Sequence, residues 1–289
     1  MSRDSSRANP NAFRWSIILN ASLSGLQIVV GITFGSIALI GDAIHNIGDV
    51  IGLMLGWGAE TLGHRAPTSR FSYGLGRSTQ LAAIANAVLI LMASAVLCVE
   101  SFQRFSNPIP LVTGPIAWAA VAGLIVNLGS AKLFGDHNHD LNRKGAVIHL
   151  ISDAAVSAAV LLSTLLVRAT GWNWLDPVTG LLVGCSVGWM GIGLLRKTIA
   201  ETMDAIPDYI DINKVKSSLE NLHGVQSIHH LHIWPLSTSR VALTAHIVRP
   251  LSQSKTDPNL ISIARNKMNT LGIDHCTFQV ESAGDACNN

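Results

Sequence analysis

The sequence predicts an α-helical membrane protein: six transmembrane helices followed by a small αββαβ domain. Three observations carry that prediction. The chain of 289 residues is 48% hydrophobic and only 13% charged, with a mean hydropathy of +0.37, the composition of a protein that lives in a bilayer. Apolar segments lie near 13–34, 36–60, 78–100, 112–134, 145–168 and 175–198, each able to supply the roughly 20 helical residues that cross a membrane. Beyond Lys197 the composition changes abruptly: residues 201–289 hold nine acids, seven bases and six histidines, and no further span. The expected division is an N-terminal segment 1–12, a six-helix region 13–200 and a soluble domain 201–289.

Each element has its own signal. The first span follows MSRDSSRANPNAFRW, which has no short apolar stretch ending in a small-residue cleavage site, so no removable signal peptide is expected. The second and fifth spans contain GDAIHNIGDV and HLISD; both break a strict rule against charge, yet their apolar flanks are long enough to span. Lys and Arg set the orientation. Eleven of them (Arg3, Arg7, Arg14, Arg65, Arg70, Arg77, Lys132, Arg143, Lys144, Arg196 and Lys197) fall on the side of the termini, against Arg104 and Arg168 on the other, so both termini and the tail are expected in the cytoplasm. In the tail, DYIDINKVKSSLENL has helical periodicity, VQSIHHLHIWPL and RVALTAHIVRP are β-rich runs joined by STS, NLISIARNKMNTLG is a second helix closed by glycine, and HCTFQVE is a third strand. The order αββαβ suggests a half-open sheet with helices on one face, small enough that oligomerisation would help it.

Composition also excludes classes of function. Cys98, Cys185, Cys276 and Cys287 show no CxxC spacing, so neither a disulfide framework nor a zinc ribbon is indicated. A net charge of +2 argues against a nucleic-acid partner.

The chemistry lies in the interrupted spans. His45 and Asp49 repeat as His149 and Asp153, the same H-x-x-x-D spacing on two helices. Four residues of helix separate the two groups of each pair by about 6 Å along the axis, on one face. Two imidazoles and two carboxylates facing each other make a tetrahedral site that suits zinc. Ionisable groups inside spans are expensive and usually functional, so a merely structural polar network is the weaker reading. A divalent cation neutralises the two aspartates, and its departure calls for protons in its place, which couples metal release to proton uptake. Asp42 is either an outer group orienting an imidazole or a partner for backbone at the helix start. His137 and His139, in GDHNHD, read as solvated turn residues.

Taken together, GSIALIGDAIHNIGDV, APTSRFSYGLGR, NRKGAVIHLISDAAVS, DPVTGLLVG and GVQSIHHLHIWPLSTSRVALTAHI, in that order, resemble the cation diffusion facilitators, and within them the bacterial zinc-exporting branch. The resemblance covers most of the chain. It implies a six-span homodimer in the bilayer that exports zinc against protons, with a cytoplasmic domain shaped like a metallochaperone, and it assigns His45, Asp49, His149 and Asp153 as transport ligands. If the source is bacterial, the membrane is the inner one. Many members carry a glutamate where this chain has Thr79, so the ion pair it would make is missing; only His64 stands in the loop where some relatives hold a further metal.

The tail is dense in histidine. Strict alternation in IHHLHIW places His230 and His232 on one face and His229 on the other, so the three are not expected to share an ion. The resemblance favours His229, His246 and Glu281 as a cytoplasmic metal site, with His275 and Cys287 as possible additions; His232 and Trp234 are expected to pack or to line the dimer contact. Exporters of cadmium, cobalt, nickel or iron accept similar donors. An intramembrane metallohydrolase would need a general base such as the glutamate of HExxH, which neither span offers. A membrane-anchored metal sensor would leave the duplicated pair in the bilayer unexplained.

Overall fold

The computed structural model describes residues 10–134, 141–251 and 258–283. Six helices come first: α1 (Pro10–Phe34), α2 (Ile37–Gly63), α3 (Ser78–Ser106), α4 (Thr113–Phe134), α5 (Leu141–Thr170) and α6 (Leu175–Thr202). Then come α7 (Ile212–Glu220), β1 (Ser227–Pro235), β2 (Val241–Arg249), α8 (Pro258–Thr270) and β3 (His275–Ser282), the expected αββαβ order. Five of the six long helices are strongly apolar over a full span, and the shorter apolar run Ile18–Phe34 lies in α1. The chain is an integral multi-pass membrane protein. It divides into two compact units, residues 1–55 with 85–194, and residues 56–84 with 195–289.

In the first unit, α1 ends where Gly35 adopts φ +86°, a left-handed conformation open to glycine, and its N–H bonds back to the Gly31 carbonyl at 2.9 Å. Ser36 then caps α2: its hydroxyl accepts the Leu39 N–H at 3.1 Å and donates to Asp176 Oδ1 at 2.5 Å. Asp176 Oδ2 accepts the Ile37 N–H at 2.7 Å, placing a carboxylate at the positive end of α2. That buried contact fixes the start of the helix that carries His45 and Asp49. Arg104 holds the same corner, donating to the Gly35 carbonyl at 2.8 Å and to Glu100 at 3.0 Å.

Two apolar clusters pack these helices. Ala38, Leu39, Ile116, Ala120 and Val160 join α2, α4 and α5, while Ile37, Leu97, Val183 and Val187 join α2, α3 and α6. Along α6, Gly180, Gly184 and Gly188 recur every fourth residue against α3: a Cβ on them would stand 2.9 Å from Ser101 Oγ, 2.8 Å from Cys98 Sγ and 2.6 Å from Ser94 Oγ. Small residues at that period let two membrane helices approach closely. Ser94 uses the closeness, donating to the Gly184 carbonyl at 2.7 Å.

In the second unit, the strands lie in the order β1-β2-β3, with β1 antiparallel and β3 parallel to β2. Val241, Leu243, Ala245 and Ile247 of β2 share a core with Val215 and Leu219 of α7 and Leu260, Ala264 and Met268 of α8. Both helices therefore cover one face, and the even-numbered residues of β2 point to the other. Asp211 caps α7 through the Asn213 and Lys214 N–H groups. The loop between α2 and α3 binds the turn between β1 and β2. Thr79 Oγ1 accepts the Thr238 N–H at 3.1 Å and donates to the Gly76 carbonyl at 3.0 Å, Arg240 reaches the Tyr73 carbonyl at 3.4 Å, and Arg77 pairs with Asp204. At Thr79 a neutral hydrogen bond stands where the resemblance would have put a charge.

Candidate functional site

The two H-x-x-x-D pairs meet between α2 and α5. His45 Nε2 lies 3.0 Å from Asp153 Oδ1, and His149 Nε2 lies 3.2 Å from Asp49 Oδ2, so each imidazole is bonded to the carboxylate of the opposite helix. The distances within each helix are longer, 3.9 Å from His45 to Asp49 and 3.7 Å from His149 to Asp153. Ligand atoms of His45, Asp49 and Asp153 all lie within 4.8 Å of one another, and His149 borders that set through both carboxylates. Two nitrogen and two oxygen donors facing one small space form the donor set of a four-coordinate divalent cation. The cluster is lopsided. The side chains of His45 and Asp153 are 6% and 5% exposed, those of Asp49 and His149 31% and 45%.

Asp42 is fully buried one turn before His45, and its hydrogen bonds go to neither imidazole. Oδ2 accepts Gln27 Nε2 of α1 at 2.8 Å and Ser157 Oγ of α5 at 2.9 Å. The expectation that it orients an imidazole, or caps the helix start, is replaced by a bridge across three helices; Ser36 and Asp176 do the capping. Gly123 of α4 closes on the same place, since a Cβ there would stand 2.9 Å from both Gln27 Nε2 and Ser157 Oγ. Gln27 was visible in the sequence as one of two amides, with Asn20, inside the first apolar span, a signal of a buried polar partner that sequence reasoning did not use.

The second cluster lies on the open face of the tail sheet. His229 pairs with His246 across β1 and β2, His246 Nδ1 is 2.7 Å from Glu281 Oε1, and His229 Nε2 is 3.2 Å from Glu281 Oε2. Ligand atoms of these three lie within 4.8 Å of one another. Gln279 Nε2 donates to Glu281 Oε1 at 2.8 Å and steadies the carboxylate.

Two expectations for the tail change. His275 pairs with Ala242, four residues from the His246 to Gln279 pair, which is about 13 Å along a strand at 3.3 Å per residue. It therefore lies outside the cluster within one chain, and its ring packs edge-on against Tyr73 at 5.7 Å. Cys287 lies outside the described residues, as do His137 and His139. The alternation assumed for IHHLHIW also fails. His229 opposes His246 and His232 opposes Thr244, so three residues of β1 advance against two of β2, a β-bulge that returns His232 to the face of His229. His230 sits in the bulge with φ +47°. Its ring centre is 5.2 Å from that of His229 and 4.9 Å from that of His246.

Comparison with known proteins covers nearly the whole chain. The family model of the cation efflux transmembrane domain matches residues 14–203, and that of the cation efflux protein cytoplasmic domain matches residues 207–283. A Bacillus subtilis protein named cadmium, cobalt and zinc/H(+)-K(+) antiporter is 31% identical over 280 residues, 95% of this chain and 90% of its own length. The metal cation efflux system protein CzcD of Cupriavidus metallidurans is 28% identical over 286 residues (98% and 90%), and the zinc transporter ZitB of Escherichia coli is 29% identical over 276 residues (94% and 88%). With both family models matched in succession along the chain, the chain belongs to the cation efflux family.

Proposed function

We propose that the protein carries zinc out of the cytoplasm in exchange for protons. The observation that carries this reading is the quartet His45, Asp49, His149 and Asp153, drawn in matching pairs from two membrane helices. Zinc with two carboxylates and two neutral imidazoles makes a site without net charge. When zinc leaves, a proton on each imidazole leaves two neutral pairs, His45 with Asp153 and His149 with Asp49. Both forms avoid an uncompensated charge in a medium of low dielectric, and their exchange moves protons against metal. The relatives support zinc by name, and the B. subtilis name adds cadmium, cobalt and potassium.

The setting follows from the same reasoning. The transporter is a homodimer in the membrane, the inner one if the source is bacterial, with segment 1–12 and domain 201–289 in the cytoplasm and 13–200 spanning the bilayer; the excess of Lys and Arg on the side of the termini supports this orientation. The tail holds a resident zinc at His229, His246 and Glu281. Two imidazoles and a carboxylate within 4.8 Å are donors that zinc takes, and an ion there ties β1 and β2 to β3.

The test is metal flux in sealed vesicles of purified protein under an imposed pH gradient, taken metal by metal for zinc, cadmium, cobalt, nickel and iron, with and without potassium. Zinc flux driven by the proton gradient is expected. Zinc flux indifferent to that gradient, or wild-type flux in a folded Asp153→Ala protein, overturns the reading. Orientation is tested by labelling Ser5→Cys and Ser254→Cys with an impermeant thiol reagent, which should not reach either from outside intact cells.

A further inference from the structure

We propose that His230 is a fourth ligand of the tail metal site, turning the set His229, His246 and Glu281 into a closed site of three nitrogens and one carboxylate within a single chain. This rests on the reading of those three residues as a zinc site. Three features point to it.

The first is the backbone. His230 has φ +47°, and Asp204 is the only other residue without a glycine's freedom to take positive φ among those described. Left-handed backbone is unfavourable for any residue with a Cβ, although histidine tolerates it better than most. Such strain persists where the surroundings fix it, and it gathers at functional sites. The second is the register. The bulge between His229 and His232 inserts one residue into β1, and bulges re-aim side chains beside sites. In an unbulged strand His230 would point to the helix-covered face, where the domain core lies. The bulge instead turns its ring to the open face beside His229 and His246.

The third is the spacing. The ring centres of His229, His230 and His246 form a nearly equilateral triangle with sides of 5.2, 4.9 and 5.1 Å. A zinc–nitrogen bond of about 2.0–2.1 Å places each ring centre about 3.2 Å from the ion, and at a tetrahedral angle two such centres stand about 5.2 Å apart. The triangle already has the dimensions of three imidazoles around one zinc. Glu281, 3.2 Å from His229 and 2.7 Å from His246, supplies the remaining donor. Ligand atoms of only the other three meet within 4.8 Å, so the His230 ring must turn about its side-chain bonds to bring a nitrogen in. Its exposed position leaves room for that, and the turned ring covers the solvent side of the ion. Structural zinc sites are closed by four protein ligands in this way.

The experiment uses the full-length protein in detergent, with Asp49→Ala and Asp153→Ala to silence the membrane quartet. Zinc affinity is measured by competition with a chromophoric chelator, and coordination by the visible spectrum of bound cobalt(II). His230→Asn keeps a residue that accepts left-handed backbone but removes the imidazole; His230→Gly removes the strain as well and guards against a folding failure. Both are expected to weaken zinc binding at least tenfold and to reduce the intense absorption of four-coordinate cobalt. Metal-free His230→Gly should melt no lower than its parent. Unchanged affinity and spectrum in either folded variant overturn the proposal. His229→Ala separates the two levels of inference: if it abolishes binding while the His230 variants do not, the three-residue site stands and the fourth ligand falls. If His229→Ala also leaves binding intact, the tail site itself is wrong.

Discussion

The lopsided burial of the quartet predicts unequal roles for its two carboxylates. Both carboxylates lie within 4 Å of both imidazoles, but the Asp153 side chain is only 5% exposed whereas that of Asp49 is 31% exposed. Replacing Asp153 by Asn leaves bound zinc with one uncompensated positive charge in a buried setting. Breaking a buried charge pair from one side costs about 3–5 kcal/mol, roughly two to four orders of magnitude in affinity. The same change at Asp49 removes the less enclosed of the two carboxylates, 31% exposed against 5%, and a smaller loss is expected. The Asp153→Asn protein should therefore bind zinc at least tenfold more weakly than Asp49→Asn, and neither should transport it. The assay is chelator competition in protein carrying His229→Ala and Glu281→Gln to silence the tail, with thermal unfolding as the check on folding. Equal losses in the two variants, or a larger loss for Asp49→Asn, would refute the argument that burial sets the weight of each ligand.

Three further outcomes are expected. Asp42→Ala strands the Gln27 amide and the Ser157 hydroxyl without their buried acceptor, a loss of about 1–3 kcal/mol for each, so thermal stability should drop sharply. Asp42→Asn keeps an acceptor oxygen and should hold its melting temperature and zinc affinity; a loss of affinity as large as that of a quartet variant would make Asp42 a ligand. His45→Asp replaces a directional nitrogen by a carboxylate able to bind through one or two oxygens, which suits a larger ion. The ratio of cadmium to zinc flux should rise in the same vesicles at equal pH gradient, and an unchanged ratio in an active variant would remove His45 from metal choice. In the tail, burial pushes the Cys276 thiol up to about 11 from an ordinary 9.0, so at pH 8 its thiolate fraction falls about a hundredfold below that of the unfolded chain. Peptide-level mass spectrometry should find it alkylated correspondingly slowly in folded protein, and reaction at the unfolded rate would contradict its burial.

The membrane helices and the quartet were legible because both depend on short-range pattern. Apolar runs of span length have one ready reading, and H-x-x-x-D puts two side chains on one helical face whatever surrounds it. The duplication of the motif then selects the partner helix. The αββαβ order was legible for the same reason, since period and turn residues mark each element. Register was not. A single extra residue between His229 and His232 reverses which face the following side chains occupy, and nothing in IHHLHIW distinguishes a bulged strand from a regular one. The parallel pairing of β2 with β3 likewise decides that Glu281 joins His246 and that His275 does not, and that pairing follows from the crossover through α8. Asp42 failed differently: its partners lie 15 and 115 residues away in sequence, on helices that only packing brings together.

That packing explains how three carboxylates can share one short stretch of membrane interior. Asp49 and Asp153 face the two imidazoles between α2 and α5. Asp42 is served instead by neutral donors. An amide from α1 and a hydroxyl from α5 converge on one oxygen, and the absence of a side chain at Gly123 gives both donors their room. The arrangement ties α1 and α5 to α2 one turn from His45, while Asp176 and Ser36 hold the same helix at its start. Four residues thus restrain α2 on either side of the turn that leads to His45, and Ser157 restrains α5 one turn beyond Asp153. The face that carries the quartet is fixed by bonds made outside it. Variants that loosen the Asp42 bridge should therefore disturb the angle between the two metal-bearing helices without changing any ligand.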